Sequence, residues 1–246
     1  MGEMTLCALA ATTVGWLVTA LGALLSLAVG GREERAMAPT LGFAGGVMCA
    51  ASFWSLLAPA AELAGELSGR GWLPTTAGFL CGALTLGLLG EIFRGKLKDR
   101  GFLMVLSVTL HNLPEGLAVG VAFGAVAAGL SGADAAGAWM LAVGIALQNL
   151  PEGFAVAAPL RRAGLPRWKS FFWGQASGLV EPVGGVLGCA LVGLFRPALP
   201  FALSYAAGAM IWVVFAEIAP EACASRRGMA GLVAGFGLMM LMDLAL

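Results

Sequence analysis

The chain has 246 residues, of which 59% are hydrophobic and 11% are charged, and its mean hydropathy is +0.90. This composition is too apolar for a soluble globular protein and is typical of an integral membrane protein. The formal net charge is zero and no large basic cluster occurs, which argues against nucleic acid as a partner. Because no linker or soluble-looking block interrupts the sequence, residues 1–246 are predicted to form a single transmembrane domain.

Apolar segments long enough to cross a bilayer recur along the whole chain. A helix needs about 20 residues to cross about 30 Å of hydrocarbon, and the first apolar run exceeds the length of a secretory signal. The sequence therefore predicts an all-α polytopic membrane protein with eight transmembrane helices, at residues 4–29, 39–61, 75–93, 102–127, 138–160, 170–195, 198–220 and 229–246.

The basic residues between these helices predict the orientation. Lys and Arg in short loops are retained on the cytoplasmic side of the membrane. Only Arg70 and Arg196 fall in the even-numbered loops. The other twelve follow helices 1, 3, 5 and 7, and they are Arg32, Arg35, Arg94, Lys96, Lys98, Arg100, Arg161, Arg162, Arg167, Lys169, Arg226 and Arg227. Both termini are therefore predicted to face outward.

This topology permits an inverted repeat. Helices 1–3 and helices 6–8 enter the membrane in opposite senses around the pair of helices 4 and 5, and inverted repeats with a site near the midplane are common in transporters. The two triplets show no convincing sequence identity, so the repeat is an expectation from topology. The chain also contains 37 glycines, many at four-residue spacing, which predicts close packing between helices.

A duplicated hexapeptide is the most informative local feature. Residues 111–116 read HNLPEG and residues 148–153 read QNLPEG, and both lie within apolar helices. Side chains four apart share a helix face, so His111 aligns with Glu115 and Gln148 aligns with Glu152. Because ionisable residues at membrane depth are costly, a duplicated carboxylate predicts a functional site and indicates a cation pathway.

Glu181, followed by Pro182, supplies a third carboxylate near the middle of helix 6. Three charged residues facing lipid would cost roughly 8–10 kcal/mol, so the three carboxylates are expected to face inward and to require a cation. Oxygen ligands with one imidazole suit Zn²⁺, while Fe²⁺, Mn²⁺ and Cd²⁺ remain alternatives. The metal is interpreted as cargo, and no catalytic cofactor is predicted.

Four weaker candidates lie near the predicted helix ends. Glu62 and Glu66 are near the outer face and are interpreted as residues that attract incoming cations, with boundary residues as the alternative. Glu217 and Glu221 are near the inner face and have the matching interpretation for departing cations. The five cysteines have no CxxC spacing and are interpreted as small apolar residues.

The two hexapeptides together with Glu181-Pro182 resemble the ZIP family of divalent-metal transporters, in particular its bacterial GufA-type members. The resemblance extends over essentially the whole chain. It implies a two-metal centre in which Glu115 and Glu152 bridge both ions. It further implies that His111 and Gln148 complete the first position and that Asn112, Asn149 and Glu181 complete the second.

The resemblance also implies a mechanism and a setting. Helices 1, 4, 5 and 6 are expected to move against helices 2, 3, 7 and 8 in an elevator-type cycle that imports the metal into the cytoplasm. A homodimer in the bacterial inner membrane is expected. One departure from the family pattern is Gln148, where many relatives have a second histidine, and the loss of a nitrogen ligand is expected to broaden selectivity.

Two other function classes are weighed against metal transport. A membrane metallohydrolase is disfavoured, because such sites use several histidines and this chain has one, with no Ser or Cys nucleophile beside a base. A proton-conducting or non-metal secondary transporter is the stronger alternative, since buried glutamates can relay protons. Analysis of bound metal distinguishes it from the first interpretation.

Overall fold

The computed structural model describes residues 2–28, 33–68, 71–96, 100–130, 132–194 and 196–245. Five helices are regular: α1 (Gly2–Ser26), α3 (Trp72–Lys96), α4 (Arg100–Ala127), α5 (Ala135–Arg162) and α8 (Arg226–Ala245). Three contain a local change of helix type. Helix α2 comprises Glu33–Ala51, a π-helical segment Ser52–Leu57 and Ala58–Ser68. Helix α6 comprises Arg167–Ala176, a 3₁₀ segment Ser177–Leu179 and Val180–Leu194. Helix α7 comprises Leu199–Val213, a π-helical segment Val214–Ile218 and Ala219–Ala222.

The predicted all-α architecture is confirmed. Within the described residues, seven of these helices are long and apolar enough to cross a membrane, and the eighth, α4, is 28 residues long. Most helices extend a few residues beyond the predicted limits, as α5 does at both ends. Polar end residues lower the hydropathy that defines a span, but they do not stop the helix. The loop residues Arg32, Arg70 and Lys98 lie outside the described residues.

The helices form two groups of four, which we call the first group (α1, α4, α5 and α6) and the second group (α2, α3, α7 and α8). In the first group the most extensive contacts join α1 to α5 and α4 to α6. In the second they join α2 to α8 and α3 to α7. Contacts between the groups are fewer, and the main ones run from α2 to α5 and from α4 to α7.

Glycines hold the helices together within each group. A Cβ atom at Gly153 of α5 would overlap the backbone of α1, and one at Gly116 of α4 would overlap the backbone of α6. Every described glycine that meets the backbone of another helix does so within its own group. Gly144 of α5 does reach across to the other group, but it meets the side chain of Met239 in α8. Backbones interlock inside the groups, whereas side chains fill the boundary between them.

The contacts also reveal the inverted repeat. In the second group, Gly235 of α8 meets the carbonyl of Phe43 in α2, and Gly82 of α3 meets the carbonyl of Tyr205 in α7. Positions 43 and 205 differ by 162, and positions 82 and 235 differ by 153. Exchanging α2 with α7 and α3 with α8 therefore converts the contact between Gly82 and Tyr205 into the contact between Gly235 and Phe43.

The first group follows the same exchange. Gly153 of α5 meets the carbonyl of Thr19 in α1, and Gly116 of α4 meets the carbonyl of Glu181 in α6. Thr19 and Glu181 again differ by 162, and the two glycines differ by 37, the spacing of the two hexapeptides. The π-helical segments obey the same rule, since an offset of 162 brings Ser52 onto Val214, where the second segment begins. The expected repeat of helices 1–3 and 6–8 is thus present in the packing.

Two arginines fix the inner end of α1. The guanidinium of Arg161 donates to the carbonyl of Ser26 at 2.6 Å, and that of Arg167 donates to the carbonyl of Leu27 at 3.1 Å. Cations at a helix C-terminus satisfy carbonyls that have no partner within the helix. These bonds bring the last turn of α1 to the loop between α5 and α6, where the charge distribution predicts the cytoplasmic side.

Candidate metal centre

The predicted site lies in the first group, at the middle of α4, α5 and α6. Asn112 and Glu115 come from α4, Gln148, Asn149 and Glu152 come from α5, and Glu181 comes from α6. Each of these six side chains is at most 6% exposed. Helix α5 is largely enclosed by other helices, since 67% of its most apolar 18-residue stretch is buried, compared with 17% for α8. The side chain of His111 lies outside the described residues.

Amide side chains connect the three helices. The amide of Gln148 donates to Glu115 Oε1 at 2.6 Å, and the amide of Asn149 donates to Glu181 Oε2 at 2.8 Å. The amide of Asn112 donates to the carbonyl of Ser177, in the 3₁₀ segment of α6, at 3.0 Å. Each bond joins two different helices, so the amides fix the relative positions of the carboxylates.

Several oxygens of the site have no hydrogen-bond donor. Among the described side chains, eight buried nitrogen or oxygen atoms lack a partner, and six of them belong to this site. All six are oxygens: Asn112 Oδ1, Glu115 Oε2, Gln148 Oε1, Asn149 Oδ1, Glu152 Oε1 and Glu152 Oε2. A buried polar atom without a partner costs about 1–3 kcal/mol, so a concentration of such atoms needs an explanation. Buried oxygens that accept no hydrogen bond are suited to bind a cation.

The carboxylates also interact with one another. Glu115 is within electrostatic reach of both Glu152 and Glu181, and Glu152 is within reach of Glu181. The donors identified around them are neutral amides and one hydroxyl. Like charges in a low-dielectric interior repel strongly, and a divalent cation removes that repulsion. The arrangement is therefore suited to bind a positive ion.

Carboxylates alone do not complete a site. No three His, Cys, Asp or Glu side chains within the described part of the chain lie together in a ready arrangement for one ion. The amide oxygens of Asn112, Gln148 and Asn149 are the additional ligands that the geometry offers. Oxygen ligation of this kind matches hard or borderline divalent ions.

Helix α1 contributes to the site, which the sequence reasoning missed. Gly15 has no side chain where Glu181 Oε2 and the amide of Asn149 approach, so a Cβ atom there would lie 2.6 Å from that oxygen. Thr19 is fully buried, and its hydroxyl lies 3.5 Å from Glu181 Oε1. The only sequence signal was a threonine four residues after a glycine in an apolar helix.

A cavity of about 260 Å³ lies on the predicted outer side, between the two groups. Its lining includes Glu62 and Glu66 from α2, together with Asp134 and Asp243. Its lining also includes apolar residues such as Leu141 of α5, which is seven residues from Gln148. Glu62 and Glu66 therefore border this cavity, and their role in attracting cations stays a prediction.

Comparison with known proteins identifies the family. A family model described as ZIP Zinc transporter matches residues 94–243. The chain is 37% identical to the zinc transporter ZIP11 of Homo sapiens, with 97% of each protein covered. It is 38% identical to ZIPB of Bordetella bronchiseptica, covering 94% of this chain and 79% of that protein, and 35% identical to GufA of Myxococcus xanthus, covering 97% and 98%. These relatives carry the names of transporters, not of enzymes. The chain therefore belongs to the ZIP family of metal-ion transporters.

Proposed function

We propose that this protein carries zinc into the cytoplasm through a two-metal site at the middle of the membrane. The observation that supports this most directly is the set of six buried, donor-free oxygens on α4 and α5. Cadmium, iron and manganese ions remain candidate substrates, because oxygen ligands accept them as well. The zinc transporter names of the relatives support zinc as the main cargo.

The proposed ligand set is the one that the family resemblance implies. Glu115 and Glu152 bridge the two ions, at the metal separation of about 3.5–4 Å that is usual for two-metal sites. Gln148 and His111 complete the first position, and Asn112, Asn149 and Glu181 complete the second. Support comes from Glu152, whose two oxygens both lack a donor, and from Glu115, which retains one such oxygen.

The two groups of helices support an elevator-type cycle. All the proposed ligands belong to the first group, whose helices interlock through glycine and backbone contacts. The boundary with the second group is filled by side chains, as at Gly144 and Met239, and such surfaces can slide without unlocking a backbone. The first group is proposed to carry the metal as a unit past the second, which stays fixed in the lipid. A homodimer in the bacterial inner membrane is part of this proposal.

Zinc flux into proteoliposomes across imposed pH gradients tests the proposal. We expect uptake of zinc, with slower uptake as the external pH falls from about 7.5 to about 5.5, because carboxylate and imidazole ligands must be deprotonated to bind metal. Calorimetry in buffers of different ionisation enthalpy should show proton release on zinc binding. A panel of Cd²⁺, Fe²⁺ and Mn²⁺ ranks the alternatives.

The proton-relay alternative gives the opposite results. If the buried glutamates only conduct protons, the liposome interior acidifies without any metal and the purified protein retains no zinc by elemental analysis. Proton entry that is faster at low external pH, in a protein that binds no metal, would refute metal transport by this site.

The substitution Gln148→His tests the ligand assignment at the first position. An imidazole suits zinc better than manganese, whereas amide and carboxylate oxygens suit manganese well. We expect the ratio of zinc to manganese uptake rates to rise by about tenfold. The matched control is Gln175→His, a half-buried glutamine of α6 that lies next to Trp16 and outside the centre. An unchanged ratio in Gln148→His contradicts the assignment.

A further inference from the structure

The inverted repeat makes the metal centre nearly symmetric, and the departures from symmetry are informative. Exchanging α4 with α5 relates Asn112 to Asn149 and Glu115 to Glu152, so the bridging carboxylates and both asparagines have counterparts. Exchanging α1 with α6 relates Thr19 to Glu181, because each supplies the carbonyl met by the glycine of one hexapeptide. The third carboxylate therefore has a threonine as its counterpart.

The hydrogen bonds of the two asparagines differ for this reason. Asn112 donates to the backbone carbonyl of Ser177 in α6. The counterpart of Ser177 is Gly15, 162 residues earlier, yet Asn149 donates to Glu181 Oε2 and not to the Gly15 carbonyl. The carbonyl of Gly15 instead receives the hydroxyl of Thr19, at 3.3 Å.

We propose that Thr19 is a positioning residue of the second metal position. Its hydroxyl hydrogen-bonds to the Gly15 carbonyl and contacts the carboxylate of Glu181, which it holds in place. The inference rests on the proposed function, and it adds α1 to the metal centre. Thr19 hydroxyl is shared between Gly15 O at 3.3 Å and Glu181 Oε1 at 3.5 Å. The amide of Asn149 donates to Glu181 Oε2 at 2.8 Å. Each oxygen of the Glu181 carboxylate therefore has its own partner, Thr19 for Oε1 and Asn149 for Oε2.

The surroundings of Thr19 leave Glu181 little other freedom. Gly178 packs against the pair, and a Cβ atom at that position would lie 3.1 Å from Thr19 Oγ1 and 3.2 Å from Glu181 Oε1. Gly15 gives the space that Glu181 Oε2 occupies. Two glycines, the Thr19 hydroxyl and the Asn149 amide thus determine where this carboxylate points. A threonine at the place of a fourth carboxylate also keeps the negative charge of the site lower, which favours release of the ion.

The test uses Thr19→Val, which has nearly the same shape and no hydroxyl. We expect the kcat/KM for zinc uptake in proteoliposomes to fall about fivefold, because the hydroxyl–carboxylate contact at 3.5 Å is weaker than a short hydrogen bond to a charged group. Thr19→Ser, which retains the hydroxyl, should recover most of that loss. The matched control is Thr12→Val, because Thr12 is buried in the same helix two turns before Thr19 and its described hydrogen bonds go only to the backbone of α1.

A double-mutant cycle distinguishes positioning from a general effect on packing. Zinc affinity is measured calorimetrically for Thr19→Val, Glu181→Gln and the double variant, because the ligands of the first position remain in all three. We expect Thr19→Val to change the affinity less than about twofold once Glu181 is neutral, since the two residues act as one unit. Additive losses overturn the proposal.

Other outcomes are equally decisive. Native uptake in folded Thr19→Val, or a loss that Thr19→Ser does not recover, overturns the positioning role and leaves the proposed function intact. Absence of zinc uptake by the unmodified protein overturns the proposed function instead. If Thr19→Val does not give folded protein, Thr19→Ala is measured in the same way, because it removes the hydroxyl and adds no atom.

Discussion

Replacing Glu115 or Glu152 with glutamine or alanine is expected to abolish zinc uptake, with a loss of at least about a hundredfold. Removing a residue that merely orients a metal ligand lowers metal affinity or activity by about 10–100-fold. The effect of removing a bridging carboxylate should be larger, because it binds two ions. Both glutamates are buried, and their donor-free oxygens lie at the meeting point of α4, α5 and α6. Initial rates of zinc entry into proteoliposomes measure the effect.

The glutamine variants also separate function from folding. Glutamine has the size of glutamate and removes one member of a cluster of buried carboxylates, so the metal-free variants should melt at or above the temperature of the unmodified protein. Added zinc should raise the melting temperature of the unmodified protein and not that of the variants. Glu3→Gln, at an exposed carboxylate in the first turn of α1, is the control. Undiminished uptake by folded Glu115→Gln and Glu152→Gln would falsify the metal-centre assignment.

The second large effect is expected from the glycines that follow these glutamates. Gly153→Ala places a methyl group on the carbonyl of Thr19, and Gly116→Ala places one on the carbonyl of Glu181. The partner atoms belong to helix backbone and cannot move aside like a flexible side chain. Overpacking a core costs about 1–3 kcal/mol or more, so both variants should lose several degrees in melting temperature and most of their transport.

Gly90→Ala is the matched control for this prediction. Gly90 lies within α3, and nothing would come within 4 Å of a Cβ atom there. Alanine favours helix by roughly 0.5–1 kcal/mol over glycine, so this variant should be as stable as the unmodified protein or more so. Equal melting temperatures for Gly153→Ala and Gly90→Ala would show that the helices separate more easily than their contacts indicate.

The sequence was informative wherever the membrane imposes a strong constraint. Span length predicts the eight helices, since each apolar run must cross the hydrocarbon. Burial cost identifies Glu115, Glu152 and Glu181, because an ionisable residue within such a run has few structural explanations. The same reasoning reached Asn112, Gln148 and Asn149 through the duplicated motif.

Other features depend on contacts that no local pattern encodes. Thr19 and Gly15 contact Glu181 because of the register between α1 and α6, and nothing in α1 alone specifies that register. The two π-helical segments have no distinctive residues. The division into two groups came from the family resemblance, and the interlocked glycines now give it a physical basis.

The repeat itself was hidden for a specific reason. Thr19 and Glu181, or Phe43 and Tyr205, are related by backbone position and not by residue type. What the two halves share is where helices approach one another closely. Identity of side chains is therefore a poor detector of this kind of symmetry, and the offset of 162 appears only when carbonyl contacts are compared.

The same offset relates the outer cavity to the predicted cytoplasmic end of α7. Ser55 and Pro59 line the outer cavity, and their counterparts 162 residues later are Glu217 and Glu221, near the predicted cytoplasmic end of α7. If each half adopts the shape of the other, the outer chamber closes while a mirror chamber opens below, bordered by those two acids. In that second chamber Glu217 and Glu221 would provide carboxylates beside an exiting cation, as Glu62 and Glu66 provide them in the outer cavity.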